Sequence, residues 1–74
     1  MDYIEKLTGL RQDRDINQAQ IAKILGTHQA TISKYELRQR KYQIEDIIKL
    51  CLFYNVSADW LLGLPDNLPY PKRK

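Results

Sequence analysis

The sequence holds one cysteine, one histidine, three glycines and three prolines among 74 residues, with no long apolar run. Each scarcity excludes something. Cys51 has no partner for an internal disulfide, so the fold does not depend on oxidative staples. Within Ile47, Ile48, Leu50 and Cys51 it reads as a small buried hydrophobe. His28 stands alone, which leaves no cluster for a metal and no support for a nucleophile–base triad. Gly9, Gly26 and Gly63 are too widely separated to form a glycine-rich phosphate loop. No segment approaches the roughly 18 apolar residues of a membrane span, and Asp2 is acidic where a secretory signal would be basic. The expectation is a cytoplasmic chain, not an enzyme, with no cofactor, metal, membrane or small-molecule ligand.

What is present is basic and unevenly so. The net charge is +3. Residues 1–26 balance, whereas residues 27–44 carry Lys34, Arg38, Arg40 and Lys41 against Glu36 alone. Residues 45–63 are net acidic, and the end of the chain turns basic again through Lys72, Arg73 and Lys74. Such asymmetry suits one face meeting a polyanion, although a solvated surface can produce it too.

The periodicity is helical throughout. Ile4, Leu7 and Leu10 recur at three-residue spacing and predict a first helix from Asp2 to Asp13. Asn17 is a good N-cap for a second helix from Gln18 to Leu25, with Ile21, Ala22, Ile24 and Leu25 inward, and Gly26 supplies its stop. A third helix fits Gln29 to Glu36, and the polar stretch Leu37 to Gln43 reads as loop. From Ile44 an apolar helical pattern returns and continues to Asn55. Ser57 caps a short fifth helix whose Trp60, Leu61 and Leu62 are expected to pack inward before Gly63 ends it. No segment alternates as a strand. The predicted fold is all-α, with a domain over residues 1–63 and a tail over 64–74 that Pro65, Pro69 and Pro71 keep from being helical.

The decisive unit is Asn17 to Glu36: two short helices joined by a turn so tight that they must cross steeply. Ala22, small and central, permits a close crossing. This stretch, Asn17-Gln18-Ala19-Gln20-Ile21-Ala22-Lys23-Ile24-Leu25-Gly26 followed by Thr31-Ile32-Ser33-Lys34-Tyr35-Glu36, resembles the helix-turn-helix of lambdoid phage repressors, Cro proteins and Xre-type regulators. Ile47-Ile48-Lys49-Leu50 and Asn55 to Gly63 are similar to that family's last two helices.

The resemblance implies a five-helix repressor-like domain whose third helix enters the DNA major groove. It implies base reading by Gln29, Ala30, Ser33 and Lys34. Phosphate contacts would come from Gln18, Thr27, His28, Arg38, Arg40 and Lys41, and Arg11 with Glu36 would form a structural ion pair. The implied activity is transcription regulation, as a repressor, on a palindromic double-stranded operator bound by a weak or DNA-assisted homodimer. An alternative is an antitoxin-like or other protein-interaction module of the same fold. Three positions depart from the family pattern. His28 replaces the usual Ser or Thr cap, Arg38 stands where a glycine is usual, and Tyr42 stands where a proline often follows. Arg38 is therefore expected to need a positive φ, or the loop another path.

Overall fold

The computed structural model describes residues 1–65, 68–69 and 71. Among these it forms five helices and no strand: α1 (Tyr3–Asp13), α2 (Gln18–Leu25), α3 (Gln29–Glu36), α4 (Ile44–Tyr54) and α5 (Ala58–Leu62). None is long and apolar enough to cross a membrane.

The starts of these helices follow from short polar side chains. Asp2 lies outside α1, not within it, and its Oδ1 accepts from the Glu5 amide at 2.9 Å. Asn17 accepts from the Gln20 amide at 2.8 Å while Gln20 Oε1 accepts from the Asn17 amide at 2.9 Å, a reciprocal capping box. Ser57 Oγ caps α5 by accepting from the Trp60 amide. His28 makes no side-chain cap bond.

All five helices end alike. Asp15, Gly26, Arg38, Asn55 and Gly63 take left-handed backbone, and the following amide turns back to the carbonyl five residues earlier. This is the Schellman arrangement, which satisfies carbonyls that a helix end would otherwise leave unpaired. Arg38 adopts φ 63° and Gln39 N–H reaches Lys34 O at 2.9 Å, so the loop keeps its course and the non-glycine residue carries the strain.

The core gathers Leu7 of α1, Ile21, Ala22 and Leu25 of α2, Ile32 and Tyr35 of α3, Ile47, Leu50, Cys51 and Tyr54 of α4, and Leu61 of α5. Each helix contributes one stripe, so the five cannot be rearranged without exposing it. The expected inward packing of the fifth helix holds for Leu61 alone. Leu61 is fully buried, while Trp60 remains 47% exposed and Leu62 is also exposed. Five residues make little more than one turn, which can aim only one of three consecutive side chains at the core. Trp60 instead lies across α1, where the Lys6 ammonium sits 4.9 Å from its ring centroid and donates to its carbonyl at 2.6 Å.

The loop between α3 and α4 is anchored by an aromatic. Tyr42 packs on Tyr35 at 4.2 Å between ring centroids and meets the Tyr3 ring edge-on at 6.2 Å. Tyr35 in turn donates its hydroxyl to Asp46 at 3.2 Å. Burial pushes the Tyr42 and Tyr35 phenols above their ordinary pKa, so both remain neutral.

Candidate nucleic-acid interface

The third helix is held by its inner side and leaves the other free. Ile32 and Tyr35 are buried, and at about 100° per residue they fix the rotation of the whole helix. Gln29, Ser33, Ala30 and Lys34 then fall on an outward arc of roughly 140°. Gln29, Ala30 and Lys34 are exposed and Ser33 is half-buried. No acidic residue occurs between Thr27 and Tyr35, so nothing along this arc repels a polyanion.

The turn before α3 completes the surface. Gly26 takes φ 69°, and Thr27 N–H folds back on Ala22 O at 2.9 Å. That geometry reverses the chain in two residues and leaves His28 exposed and Thr27 half-buried beside the start of α3. Ala22 is buried where α2 and α3 meet, with no side chain large enough to hold them apart.

Behind this surface lies a polar tie. Arg11 Nε donates to Glu36 Oε2 at 2.7 Å and its Nη2 to Glu36 Oε1 at 3.0 Å. Arg11 Nη1 also donates to the Ile16 carbonyl at 2.9 Å, joining α1 to the turn that precedes α2. Gln18 Nε2 donates to the same Glu36 Oε1 at 3.0 Å. The structure thus brings Arg11, Gln18 and Glu36 together, one each from α1, α2 and α3. The Glu36 carboxylate beside it raises the Arg11 pKa further.

The remaining basic residues divide. Arg40 and Lys41 are exposed in the loop that Tyr42 anchors. Arg38 is exposed as well, but its guanidinium is paired with Asp2, with Nη2 at 3.2 Å from Oδ1, and lies 3.7 Å from Glu5 Oε1. This contact, the bond from Gln18 to Glu36 and the Gln20 half of the capping box were missed in the sequence. Only the last had a signal there, in the Asn-x-x-Gln spacing. Lys72, Arg73 and Lys74 lie outside the described residues.

The sequence profile of the helix-turn-helix family matches residues 9–61, from within α1 to α5. The chain belongs to the helix-turn-helix family. Among its helix-turn-helix relatives, the uncharacterized HTH-type transcriptional regulator YobD of Bacillus subtilis (strain 168) is 31% identical over 70 residues, covering 95% of this chain. The chain spans 62% of the length of YobD. A transcriptional regulator from Listeria innocua superposes with a TM-score of 0.80 at 26% identity, over 95% of this chain and 65% of that one. The P22 c2 repressor, in complex with synthetic operator 9T in the presence of Tl+, superposes with a TM-score of 0.72 at 26% identity. That alignment covers 84% of this chain and 94% of the repressor. The repressor-like five-helix fold expected from the resemblance is therefore the fold observed.

Proposed function

We propose that this helix-turn-helix chain is a sequence-specific double-stranded DNA-binding transcriptional regulator that acts as a repressor. One observation carries the proposal: a chain that superposes on a repressor in complex with an operator presents on α3 an outward arc, Gln29, Ala30, Ser33 and Lys34, that holds no acidic side chain.

In this reading α3 lies in the major groove. Gln29 pairs with adenine in bidentate fashion, Ala30 touches a thymine methyl, and Lys34 reaches a guanine edge, with Ser33 between them. Thr27 and His28 approach phosphate at the turn, and Arg40 and Lys41 approach it from the loop. Gln18 adds a phosphate contact at the start of α2, and Glu36 fixes its side-chain amide in place. Arg38 is the least available of the six backbone-contacting residues, because Asp2 and Glu5 already hold its charge.

One eight-residue helix reads only a few base pairs. A homodimer on a palindromic site, with half-sites one DNA turn apart, multiplies that specificity. We read the pairing as weak in free solution and strengthened on DNA. The proposed action is by occupancy of an operator in the cytoplasm, with no catalytic step. A protein-interaction role of the same fold is favoured by one observation, the exposed apolar side chains of α4 and α5. The α3 face itself is polar and basic, which favours DNA there.

The test is a random-site selection on duplex DNA with Gln29→Ala and Lys34→Ala beside the wild type. A palindromic consensus that changes in the Gln29→Ala selection supports the reading. Enrichment of no sequence above background across a salt series overturns it.

A further inference from the structure

The fourth helix carries more apolar surface than the fold uses. Ile47, Leu50, Cys51 and Tyr54 bury one side of α4 in the core. Ile44, Ile48 and Leu52, spaced four residues apart, are 62%, 54% and 77% exposed. At about 100° per residue these three line up on an arc of only ~80°, a single continuous stripe along the helix. Among the described residues nothing covers it. Phe53 lies on the other flank of α4, beside Ile16 and Ile24, and is not part of the stripe.

Within α4, charge runs along one edge of this stripe only. Glu45 and Lys49, one turn apart, are both exposed next to it. A surface with one acid and one base in that order complements itself when two copies run antiparallel. The two-fold that relates antiparallel helices keeps both charged edges on the same side, so each Glu45 lies beside the other copy's Lys49. A parallel pairing places the two edges on opposite sides and forms neither contact.

We propose that the Ile44–Ile48–Leu52 stripe is where a second copy of this chain docks, antiparallel, with Glu45 of each protomer against Lys49 of its partner. This rests on the two-fold pairing proposed above and assigns it to α4, not to Trp60 and Leu62 of α5. Three apolar side chains per copy fall short of the roughly 1,200–2,000 Å² that stable interfaces bury. The pairing is accordingly weak alone, and grows effective when adjacent half-sites hold two copies side by side.

The test is sedimentation equilibrium on the full chain without DNA, up to about 1 mM, a concentration at which weak pairing is measurable. The wild type should show a monomer–dimer equilibrium. Ile48→Lys should weaken it at least about tenfold, as loss of a central contact does. Lys49→Glu should weaken it too, and the double variant Glu45→Lys/Lys49→Glu should recover it, with circular dichroism confirming that each variant is folded. Recovery by double reversal separates cross-protomer pairing from a general effect on helix stability. A wild type that stays monomeric, as it would if another protein covered the stripe, overturns the proposal. So does an unchanged Ile48→Lys variant, or loss of pairing on Trp60→Ala alone. The readout involves no DNA, so a failure of the DNA-binding reading leaves it intact and distinguishable.

Discussion

The carboxylate of Glu36, the last residue of α3, takes two hydrogen bonds from the guanidinium of Arg11 in α1, at 2.7 and 3.0 Å. Both side chains are largely removed from solvent, at 15% and 12% exposure. Two parallel N–H bonds fix direction as well as distance, so the C-terminal end of α3 is held in a set orientation against α1. Gln18 shares the same carboxylate. The proposed base-reading helix and the proposed phosphate contact at the start of α2 are thus referred to one point.

Removing that point should be costly. Glu36→Ala leaves the largely buried Arg11 charge without its partner, and destabilisation on the order of 3 kcal/mol is expected in urea unfolding. The double variant Arg11→Ala/Glu36→Ala should lose less than the two single losses added together. Strict additivity would contradict the tie.

Acid should loosen the tie between Asp2 and Arg38 at the start of α1. The Arg38 guanidinium, followed by the Glu5 amide, lowers the Asp2 pKa from its ordinary 3.8 to about 2. A carboxylate depressed on folding contributes stability that is complete above its unfolded pKa and is lost as pH falls through the folded one. Thermal melts should therefore show wild type losing its advantage over Asp2→Asn between about pH 4 and pH 2. Asn keeps the cap and removes only the charge. A wild-type advantage independent of pH over that interval argues against the pairing.

Adjacent residues of α5 should behave differently. Leu61 is fully buried, and Leu61→Ala should cost about 2–5 kcal/mol. Trp60→Ala should cost clearly less in the same unfolding experiment, because half its surface is already in water and its main contact is with Lys6. Equal losses would mean that α5 is rotated from the orientation described.

Salt dependence should separate the basic residues. Lys41→Ala removes one proposed phosphate contact and should reduce the slope of log K against log salt by about 0.9. Arg38→Ala should change that slope less, since Asp2 and Glu5 already neutralise its charge. The reverse order would place Arg38, not Lys41, at the DNA backbone.

The sequence made the five helices legible because their boundaries are written in side chains with one structural use. Asn17, Gly26, Asn55, Ser57 and Gly63 each cap or stop a helix through local backbone chemistry. The outward arc of α3 was legible for the same reason, since Ile32 and Tyr35 set its rotation. What depended on distant partners was not. Arg38 meets Asp2 across 36 residues, and Gln18 meets Glu36 across 18, with no spacing rule to announce either. In α4 the apolar pattern exceeds the buried stripe. Ile44, Ile48 and Leu52 continue the helical period without joining the core, and periodicity alone does not say which of two adjoining apolar stripes a fold will bury.

The central claim, that the outer arc of α3 reads base edges, is tested most directly at Gln29. Affinities of the wild type and Gln29→Ala should be measured at one salt concentration on the selected duplex and on a scrambled duplex of equal length. The account predicts a loss of about 1–3 kcal/mol on the selected site and almost none on the scrambled one. Equal losses on both duplexes, or no loss on either, would contradict it.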